Sequence, residues 1–205
     1  MAYLEAPPNL MQKRLAATIG DRQKPSAKFQ RLIELVDEHR EAGHKIVIFS
    51  FFRYVISDIS RLLKTDLTIT GDSSPAERQR VIDSFGDAAP GAVLVSQIDA
   101  GGIGVNLQTA QVVIVVEPQF KPSTEWQAIA RVHRMGQSRP VVVHRLLARD
   151  TVDEHLVALI NAKEQDFFAY AHDSAIKHES HMATDTSSSS VANRLQKMLD
   201  SGEIT

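Results

Sequence analysis

The chain contains no cysteine among its 205 residues. This absence excludes disulfide bonds, thiolate metal sites and cysteine nucleophiles together. The chain also has no apolar run near the length of a membrane span, and its N-terminus, MAYLEAPP, lacks the basic start and apolar stretch of a signal peptide. We therefore expect an intracellular protein with no membrane partner, located in the cytoplasm or nucleoid if the source is bacterial.

A second absence concerns nucleotide binding. No glycine is followed by lysine, so the phosphate-binding loop G-x-x-x-x-G-K-[ST] does not occur in any register. The formal net charge of -2 argues against a globally basic nucleic-acid coat. From Phe120 to Arg149, however, Glu125 is the only acid, against the basic residues Lys121, Arg131, Arg134, Arg139, Arg145 and Arg149. This local patch predicts an anionic partner.

Hydrophobic patterns predict strands that alternate with amphipathic helices. The sequence Ser74-Pro75-Ala76-Glu77 is a capping box with proline at the first helical position, and it predicts a helix from Pro75 to about Phe85. The predicted strands are Lys45–Ser50, Leu67–Thr70, Gly91–Ser96, Gln111–Glu117 and Val141–Leu147, and other helices are predicted from Ser26 to near Gly43, around Val55–Leu63, from Pro122 and from Thr151. This order predicts an α/β domain with a mostly parallel sheet covered on both faces, whose ligands lie beyond the carboxyl ends of the strands.

The two ends of the chain carry weaker signals. We predict an N-terminal extension at residues 1–25, a domain at 26–172, and a serine-rich linker at 173–205. The N-terminal extension is expected to dock on the domain or on another molecule. Within the C-terminal segment, Val191, Leu195, Met198 and Leu199 have the spacing of a short amphipathic helix, which is compatible with either a docking element or a frayed tail.

The central stretch of the sequence is Gln127-Ala-Ile-Ala-Arg131-Val-His-Arg134-Met-Gly-Gln137. If one helix begins at Pro122 and ends just before Gly136, then Gln127, Arg131 and Arg134 share a face. Trp126, Ile129, Ala130 and His133 then fall on the other side and are expected to be buried. Two guanidinium groups beside a Gly-rich loop favour a phosphate site, because their planar fork matches phosphate oxygens. The alternative is a solvated basic helix end.

The Gly-rich loop itself is Ala100-Gly-Gly102-Ile-Gly104-Val-Asn106-Leu107. Glycines after a strand let backbone N–H groups approach a phosphate closely, although a tight turn alone would explain them equally well. The repeated Asp-Glu-His string, at Asp37–His39 and Asp153–His155, lies in helical patterns rather than after an apolar strand, so neither copy predicts a magnesium-binding box. His172, His178 and His181 are interpreted as surface residues, and no metal site is predicted on this chain.

Four blocks of the sequence resemble the C-terminal RecA-like lobe of Swi/Snf-type DNA translocases in helicase superfamily two. They are Ile46-Val-Ile-Phe-Ser50-Phe51, Ile69-Thr-Gly71-Asp72-Ser-Ser74-Pro-Ala-Glu-Arg78, Ala100 to Leu107, and Gln127 to Gln137. The last block is the most specific. RNA-unwinding DEAD-box relatives usually have arginine after the glycine, whereas Gln137 follows it here. The resemblance implies a RecA-like three-layer fold with terminal extensions.

The resemblance also implies roles for individual residues. Arg131 and Arg134 match the two arginine fingers that reach ATP phosphates on another lobe. Gln127, Gly102, Gly104 and Asn106 match positions that contact nucleotide, and the positions near the DNA track are Ser50, Phe51, Ser73, Gln97, Phe120 and Lys121. Phe120-Lys121-Pro122 stands where the family usually has Trp-Asn-Pro, and Asp99 stands where a basic residue is common. Because an acid beside a DNA phosphate is unfavourable, no direct contact is expected at Asp99.

The implied function is the C-terminal motor lobe of an ATP-dependent double-stranded DNA translocase. Its partners would be duplex DNA and the N-terminal RecA-like lobe of the same parent protein, which would hold most of the ATP and Mg²⁺. We expect no tightly bound cofactor on this chain and no ATPase activity from it alone. The alternatives are a free-standing nucleic-acid or protein binding module with the same fold, and the C-terminal lobe of an RNA helicase, which Gln137 disfavours.

Overall fold

The structure is a computed structural model that describes residues 8–19, 26–100, 107–133, 140–162 and 188–202. The helices are α1 (Pro8–Ile19), α2 (Ala27–Glu41), α3 (Arg53–Leu63), α4 (Pro75–Asp87), α5 (Pro122–Val132), α6 (helical over 152–162) and α7 (Ser188–Asp200). The strands are β1 (Ile46–Ser50), β2 (Thr68–Ile69), β3 (Val93–Gln97), β4 (Val112–Val115) and β5 (Val142–Arg145). The predicted alternation of strands and helices is confirmed.

The five strands form one sheet in the order β2-β3-β1-β4-β5, and every neighbouring pair is parallel. Strand β1 lies at the centre, where Ile48 pairs with Val95 of β3 and with Ile114 of β4. All five residues of β1 are buried, as expected for a strand with helices on both faces. Because the strands are parallel, their carboxyl ends meet along one edge of the domain.

Helices cover both faces of the sheet and create two separate apolar cores. Helices α2 and α3 pack on one face, with Leu32, Val36 and Ile59 against alternate residues of β1, β3 and β4. Helices α4 and α5 pack on the other face, where Phe85 and Ala128 belong to the second core. The predicted three-layer α/β/α arrangement is therefore confirmed.

The helix starts that depend on local capping are where the sequence predicts them. The Ser26 side chain accepts a hydrogen bond from the Phe29 N–H at the start of α2, and Ser74 and Glu77 form the reciprocal capping box of α4. Gly43, just after α2, has a positive φ of 72°, a conformation that glycine adopts without strain. At the start of α6, the Thr151 hydroxyl accepts a hydrogen bond from the Asp153 N–H, and the Glu154 carboxylate accepts one from the Asp150 N–H.

A third cluster joins the two ends of the chain. Leu10 of α1, Leu156 of α6 and Leu195 of α7 are each fully buried in it. Both terminal segments thus contribute packed helices. The predicted domain boundaries near residues 25 and 172 fall outside the described residues, as do His172, His178 and His181. None of the helices among the described residues is both long enough and apolar enough to cross a membrane.

Candidate functional site

The turns that follow β1, β2 and β3 meet at the carboxyl edge of the sheet. Gln97, the last residue of β3, accepts a hydrogen bond from the Gly71 N–H (2.9 Å) through Oε1. Its Nε2 donates to the Phe51 carbonyl oxygen (3.4 Å). Ser73 lies two residues beyond Gly71, and its hydroxyl accepts from the Thr70 N–H (3.0 Å). The structure therefore brings together four of the residues predicted near the DNA track: Ser50, Phe51, Ser73 and Gln97.

These four residues differ in accessibility. Phe51, Ser73 and Gln97 are partly exposed, whereas Ser50 is fully buried. The Ser50 hydroxyl donates to Glu117 Oε1 (3.0 Å) and accepts from the Phe52 N–H (3.1 Å). The hydrogen bonds of the Ser50 side chain thus point inward and hold the turn after β1, and its place near the DNA track stays a prediction.

Glu117 is a residue whose importance the sequence patterns did not reveal. It follows β4, is fully buried, and accepts hydrogen bonds from the Phe51 N–H (3.0 Å) and the Ser50 hydroxyl. Burial raises the pKa of its carboxyl group, while those hydrogen bonds and the nearby Lys28 and Arg14 oppose the increase. The only sequence signal is an acid at the end of an otherwise apolar strand, which is a weak sign of a buried polar contact.

Arg78 connects the turn after β2 to Ala100, the first residue of the Gly-rich loop. Its Nε donates to the Ser73 carbonyl oxygen (2.9 Å), Nη1 donates to that of Ala100 (2.8 Å), and Nη2 donates to that of Gly71 (3.2 Å). Arg78 belongs to a block that carries the family resemblance, but no role was predicted for it from the sequence. In the structure it fixes the spacing between two predicted functional segments.

Helix α5 begins at Pro122, as predicted, but it buries a different face. Its buried residues are Glu125, Ala128 and Val132, and Glu125 forms an ion pair with Arg145 of β5. Trp126, which was expected on the buried side, is 69% exposed. Gln127 is exposed. The helix is rotated because Glu125 reaches Arg145 and because the small Ala128 fits against the sheet.

Arg131 lies near the C-terminal end of α5. It is half-buried, and its Nη1 is buried without a hydrogen-bond partner among the described residues. Burial lowers the pKa of the guanidinium, although an arginine remains charged in proteins. The Arg131 carbonyl oxygen accepts from the N–H of Leu107 (3.3 Å), the last residue of the Gly-rich loop. A buried, charged and unsatisfied N–H at this place fits an anionic oxygen such as that of a phosphate.

The expectation of one continuous helix from Pro122 to just before Gly136 is wrong. Helix α5 ends at Val132, and His133 has φ −94° and ψ 84°, outside the helical region. The helical spacing from Arg131 to Arg134 therefore does not apply. Arg134, Gly102, Gly104 and Asn106 lie outside the described residues.

The remaining predicted residues lie between β4 and α5. Lys121 is exposed at the N-cap of α5, and Phe120 is partly buried with its ring against Arg14 of α1. Two cations near the edge are paired with acids, since Arg145 contacts Glu125 and Arg53 contacts Asp72. Partial burial raises the pKa of Asp99, after β3. The surface available to an anion is thus smaller than the count of basic residues suggests.

The comparison with known protein families identifies the same stretch of chain. The model described as helicase conserved C-terminal domain matches residues 27–136. An uncharacterised ATP-dependent helicase of Mycoplasma pneumoniae is 34% identical over 145 residues, which cover 69% of this chain and 14% of the relative. The ATP-dependent helicase fft1 of Schizosaccharomyces pombe is 35% identical over 142 residues, with coverages of 67% and 15%. The chain therefore spans less than a fifth of the length of these relatives.

Solved structures support the same assignment. The SWI2/SNF2 ATPase core domain of Sulfolobus solfataricus superposes with a TM-score of 0.67 at 27% identity, covering 94% of this chain and 38% of that chain. The SWI2/SNF2 ATPase core of the same organism in complex with dsDNA superposes with a TM-score of 0.65 at 26% identity, with coverages of 92% and 38%. The predicted RecA-like fold is confirmed. The chain belongs to the helicase conserved C-terminal domain family and is a helicase C-terminal lobe of the Swi/Snf type.

Proposed function

We propose that the chain is the C-terminal motor lobe of an ATP-dependent double-stranded DNA translocase. In this proposal it supplies arginine fingers and part of the DNA track, and an N-terminal RecA-like lobe holds the nucleotide. The observation that carries the proposal is the Arg131 guanidinium, whose Nη1 is buried without a partner among the described residues. The membership in a family whose relatives are ATP-dependent helicases supports it.

Arg131 is suited to the charge that develops during phosphoryl transfer. ATP with Mg²⁺ would supply the phosphoryl group, and the transition state spreads negative charge over the phosphate oxygens. Partial burial leaves the guanidinium poorly solvated, which strengthens its interaction with an oxygen that enters the site. In this proposal Gln127, Gly102, Gly104 and Asn106 contact the nucleotide, and Arg134 is the second finger.

The proposal assigns only half of an ATPase site to this chain, because the sequence has no phosphate-binding lysine loop. We expect the isolated chain neither to bind ATP tightly nor to hydrolyse it. Steady-state phosphate release should stay at the buffer level with and without duplex DNA. Robust hydrolysis by the purified chain would contradict this division of the site.

The finger role of Arg131 predicts a selective loss of hydrolysis. In a two-lobe protein that joins this chain to an N-terminal lobe with a lysine loop, Arg131→Ala should reduce kcat on the order of 10³-fold or more. Duplex DNA affinity, measured by fluorescence anisotropy, should change little. Arg194→Ala is the control, because Arg194 is an exposed arginine on α7 outside the residues assigned to the site. Equal losses of hydrolysis and DNA binding in Arg131→Ala would contradict the finger assignment.

The proposed DNA track uses the carboxyl edge of the sheet. Its surface residues are Phe51, Ser73, Gln97, Phe120 and Lys121, and Ser50 supports them from the interior. Hydrogen bonds of Gln97 and Arg78 connect the turns after β1 and β2 to the end of β3. A solved relative of this fold is in complex with dsDNA, which supports duplex DNA as the ligand. Contact through the DNA backbone would allow movement without sequence readout.

A further inference from the structure

We infer that Arg14, on helix α1, is a positioning residue for duplex DNA, because it holds Phe51 and Phe120, two aromatic residues of the proposed track, in a fixed arrangement. This inference rests on the proposed function. It concerns a residue that precedes the 27–136 segment matched by the family model. The N-terminal segment was predicted only as an extension. The inference gives it a role in the functional surface.

The first observation is an aromatic enclosure around a buried cation. Arg14 is 0% exposed. Its Cζ lies 4.3 Å from the centroid of the Phe120 ring and 5.7 Å from those of Phe51 and Phe52. The Phe51 and Phe52 rings meet edge to face, with centroids 5.4 Å apart. The three phenylalanine residues are partly exposed, whereas Arg14 is fully buried, so the cation lies on the inner side of the aromatic group.

The second observation is that the buried guanidinium is anchored by polar contacts. One Nη donates to the Pro118 carbonyl oxygen. Burial lowers the pKa of Arg14, and the carboxylates of Glu117 and Asp153 oppose this change. Asp153 in turn pairs with Lys28, whose Nζ also donates to the Val116 carbonyl oxygen (3.0 Å). Two cations and two acids thus offset one another in the interior, where a single unpaired charge would be costly.

These contacts connect segments that are far apart in the chain. Phe51 and Phe52 belong to the turn after β1, whereas Phe120 immediately precedes Lys121 and the start of α5. Glu117 bonds to the same β1 turn through the Phe51 N–H. Arg14 therefore sets the distance between the β1 turn and the beginning of the helix that carries Arg131. Since Arg14 is fully buried, it acts on DNA only through the rings that it supports.

The test compares three variants of the full 205-residue chain. Arg14→Lys keeps the charge but loses the planar group that stacks on the rings and bonds to Pro118. Arg14→Met removes the charge, and Lys13→Met is the matched control because it removes one charge from a partly exposed position on the same helix. Duplex DNA affinity is measured by fluorescence anisotropy over a series of salt concentrations, and folding is checked by thermal unfolding.

We expect Arg14→Lys to remain folded and to bind duplex DNA about tenfold more weakly than the wild-type chain. The slope of log K against log salt should be unchanged, because no phosphate contact is removed. Lys13→Met should bind within about twofold of wild type. If Arg14→Met does not fold, Arg14→Lys decides the question alone.

Two results would overturn the inference while leaving the proposed function intact. One is wild-type affinity in folded Arg14→Lys. The other is a salt slope that falls by about one, which would indicate a direct phosphate contact by Arg14. A wild-type chain that does not bind duplex DNA at all would instead contradict the proposed DNA track, and the positioning role would fail with it.

Discussion

Arg78 shows how a single side chain stabilises backbone that has no secondary structure. Each of its three nitrogens donates to a different carbonyl oxygen, those of Ser73, Ala100 and Gly71. The guanidinium presents these donors in one rigid plane, which matches three carbonyl groups that surround it. A lysine ammonium at the end of a flexible chain cannot reproduce this arrangement. The turn after β2 and the end of β3 are therefore held together by the shape of one residue.

Replacement of Arg78 tests this stabilising role at the level of a single residue. Arg78→Lys should lower the free energy of unfolding by about 1–3 kcal/mol, because at least two carbonyl oxygens lose their donor. Urea unfolding followed by circular dichroism measures this change, and hydrogen exchange should quicken at Gly71 and Ser73. Arg80→Lys, at an exposed position on the same helix, should stay within about 0.5 kcal/mol of wild type. Equal effects in the two variants would contradict the clamp role of Arg78.

The distance along the chain between partners explains which residue contacts were predictable. The Ser74–Glu77 capping box spans three residues, so the sequence pattern predicts it directly. The partners of Arg14 and Lys28, by contrast, lie 104 and 88 residues away. No local pattern encodes such pairs, because they form only after the helices pack on the sheet. For the same reason, the inward role of Ser50 was not predictable from its position at the end of a strand.

At the scale of secondary-structure elements, a row of histidines connects helix α2 to strand β5. His39 Nε2 lies 2.8 Å from His144 Nε2, and His39 Nδ1 lies 3.3 Å from His44 Nδ1. A neutral imidazole has one N–H donor and one acceptor, so three neutral rings satisfy this row. Two nearby charged groups affect the row: Glu38 raises the pKa of His39 and of His144, whereas Arg31 lowers the pKa of His144. If two neighbouring rings each gained an additional proton, like charges would be in contact.

This row predicts that acid weakens the attachment of α2 to β5. Burial, followed by the neighbouring histidines, lowers the pKa of His39 from its ordinary 6.5, and burial, followed by Arg31, lowers that of His144. Because the folded state then binds protons less readily than the unfolded state, the stabilisation is complete above pH 6.5. It is lost as the pH falls from 6.5 through the lowered values.

Urea unfolding at several pH values from 7.5 to 5 measures this loss, with the wild-type chain compared with His39→Gln. The decrease in unfolding free energy should be smaller in His39→Gln, because the central ring no longer titrates. His155→Gln is the control, since His155 lies on α6 and belongs to no such row among the described contacts. The same pH dependence in wild type and His39→Gln would show that the row does not control it.

Element boundaries were predicted less well than element types. Strand β2 has two residues, although Leu67–Thr70 was predicted, and α5 ends at Val132 rather than just before Gly136. Periodicity identified the correct kind of element in both cases. It did not identify the ion pair between Glu125 and Arg145, which decides the rotation of α5. Helix phase depends on such tertiary contacts when several faces of a helix have similar hydrophobicity.

At the scale of the whole molecule, the third apolar cluster makes the two ends of the chain part of one structure. Helices α1, α6 and α7 contribute Leu10, Leu156 and Leu195, each of which is fully buried. The spacing of the apolar residues in α7 had left a docking element and a frayed tail equally open, and the structure supports docking. The weak periodicity of the first segment gave no sign of α1, whose buried side includes the charged Arg14.

Truncation of a buried leucine in α7 tests this packing. Leu195→Ala should lower the free energy of unfolding by about 2–5 kcal/mol and should keep a single cooperative transition, because α7 is part of the same core. Urea unfolding followed by circular dichroism provides the measurement. Leu62→Ala, at a position 45% exposed on α3, is the control and should have a much smaller effect. A loss below about 0.5 kcal/mol in Leu195→Ala would be the behaviour of a frayed tail.

The order of the strands has a consequence for how copies of this chain would meet at high concentration. Sheet edges carry backbone groups that another strand can pair with, and long edges are templates for aggregation. One edge here is β2, whose two residues offer almost no template. The other edge is β5, with four residues and an exposed Val142. Unwanted strand addition would therefore begin at β5. The substitution Val142→Lys would protect that edge.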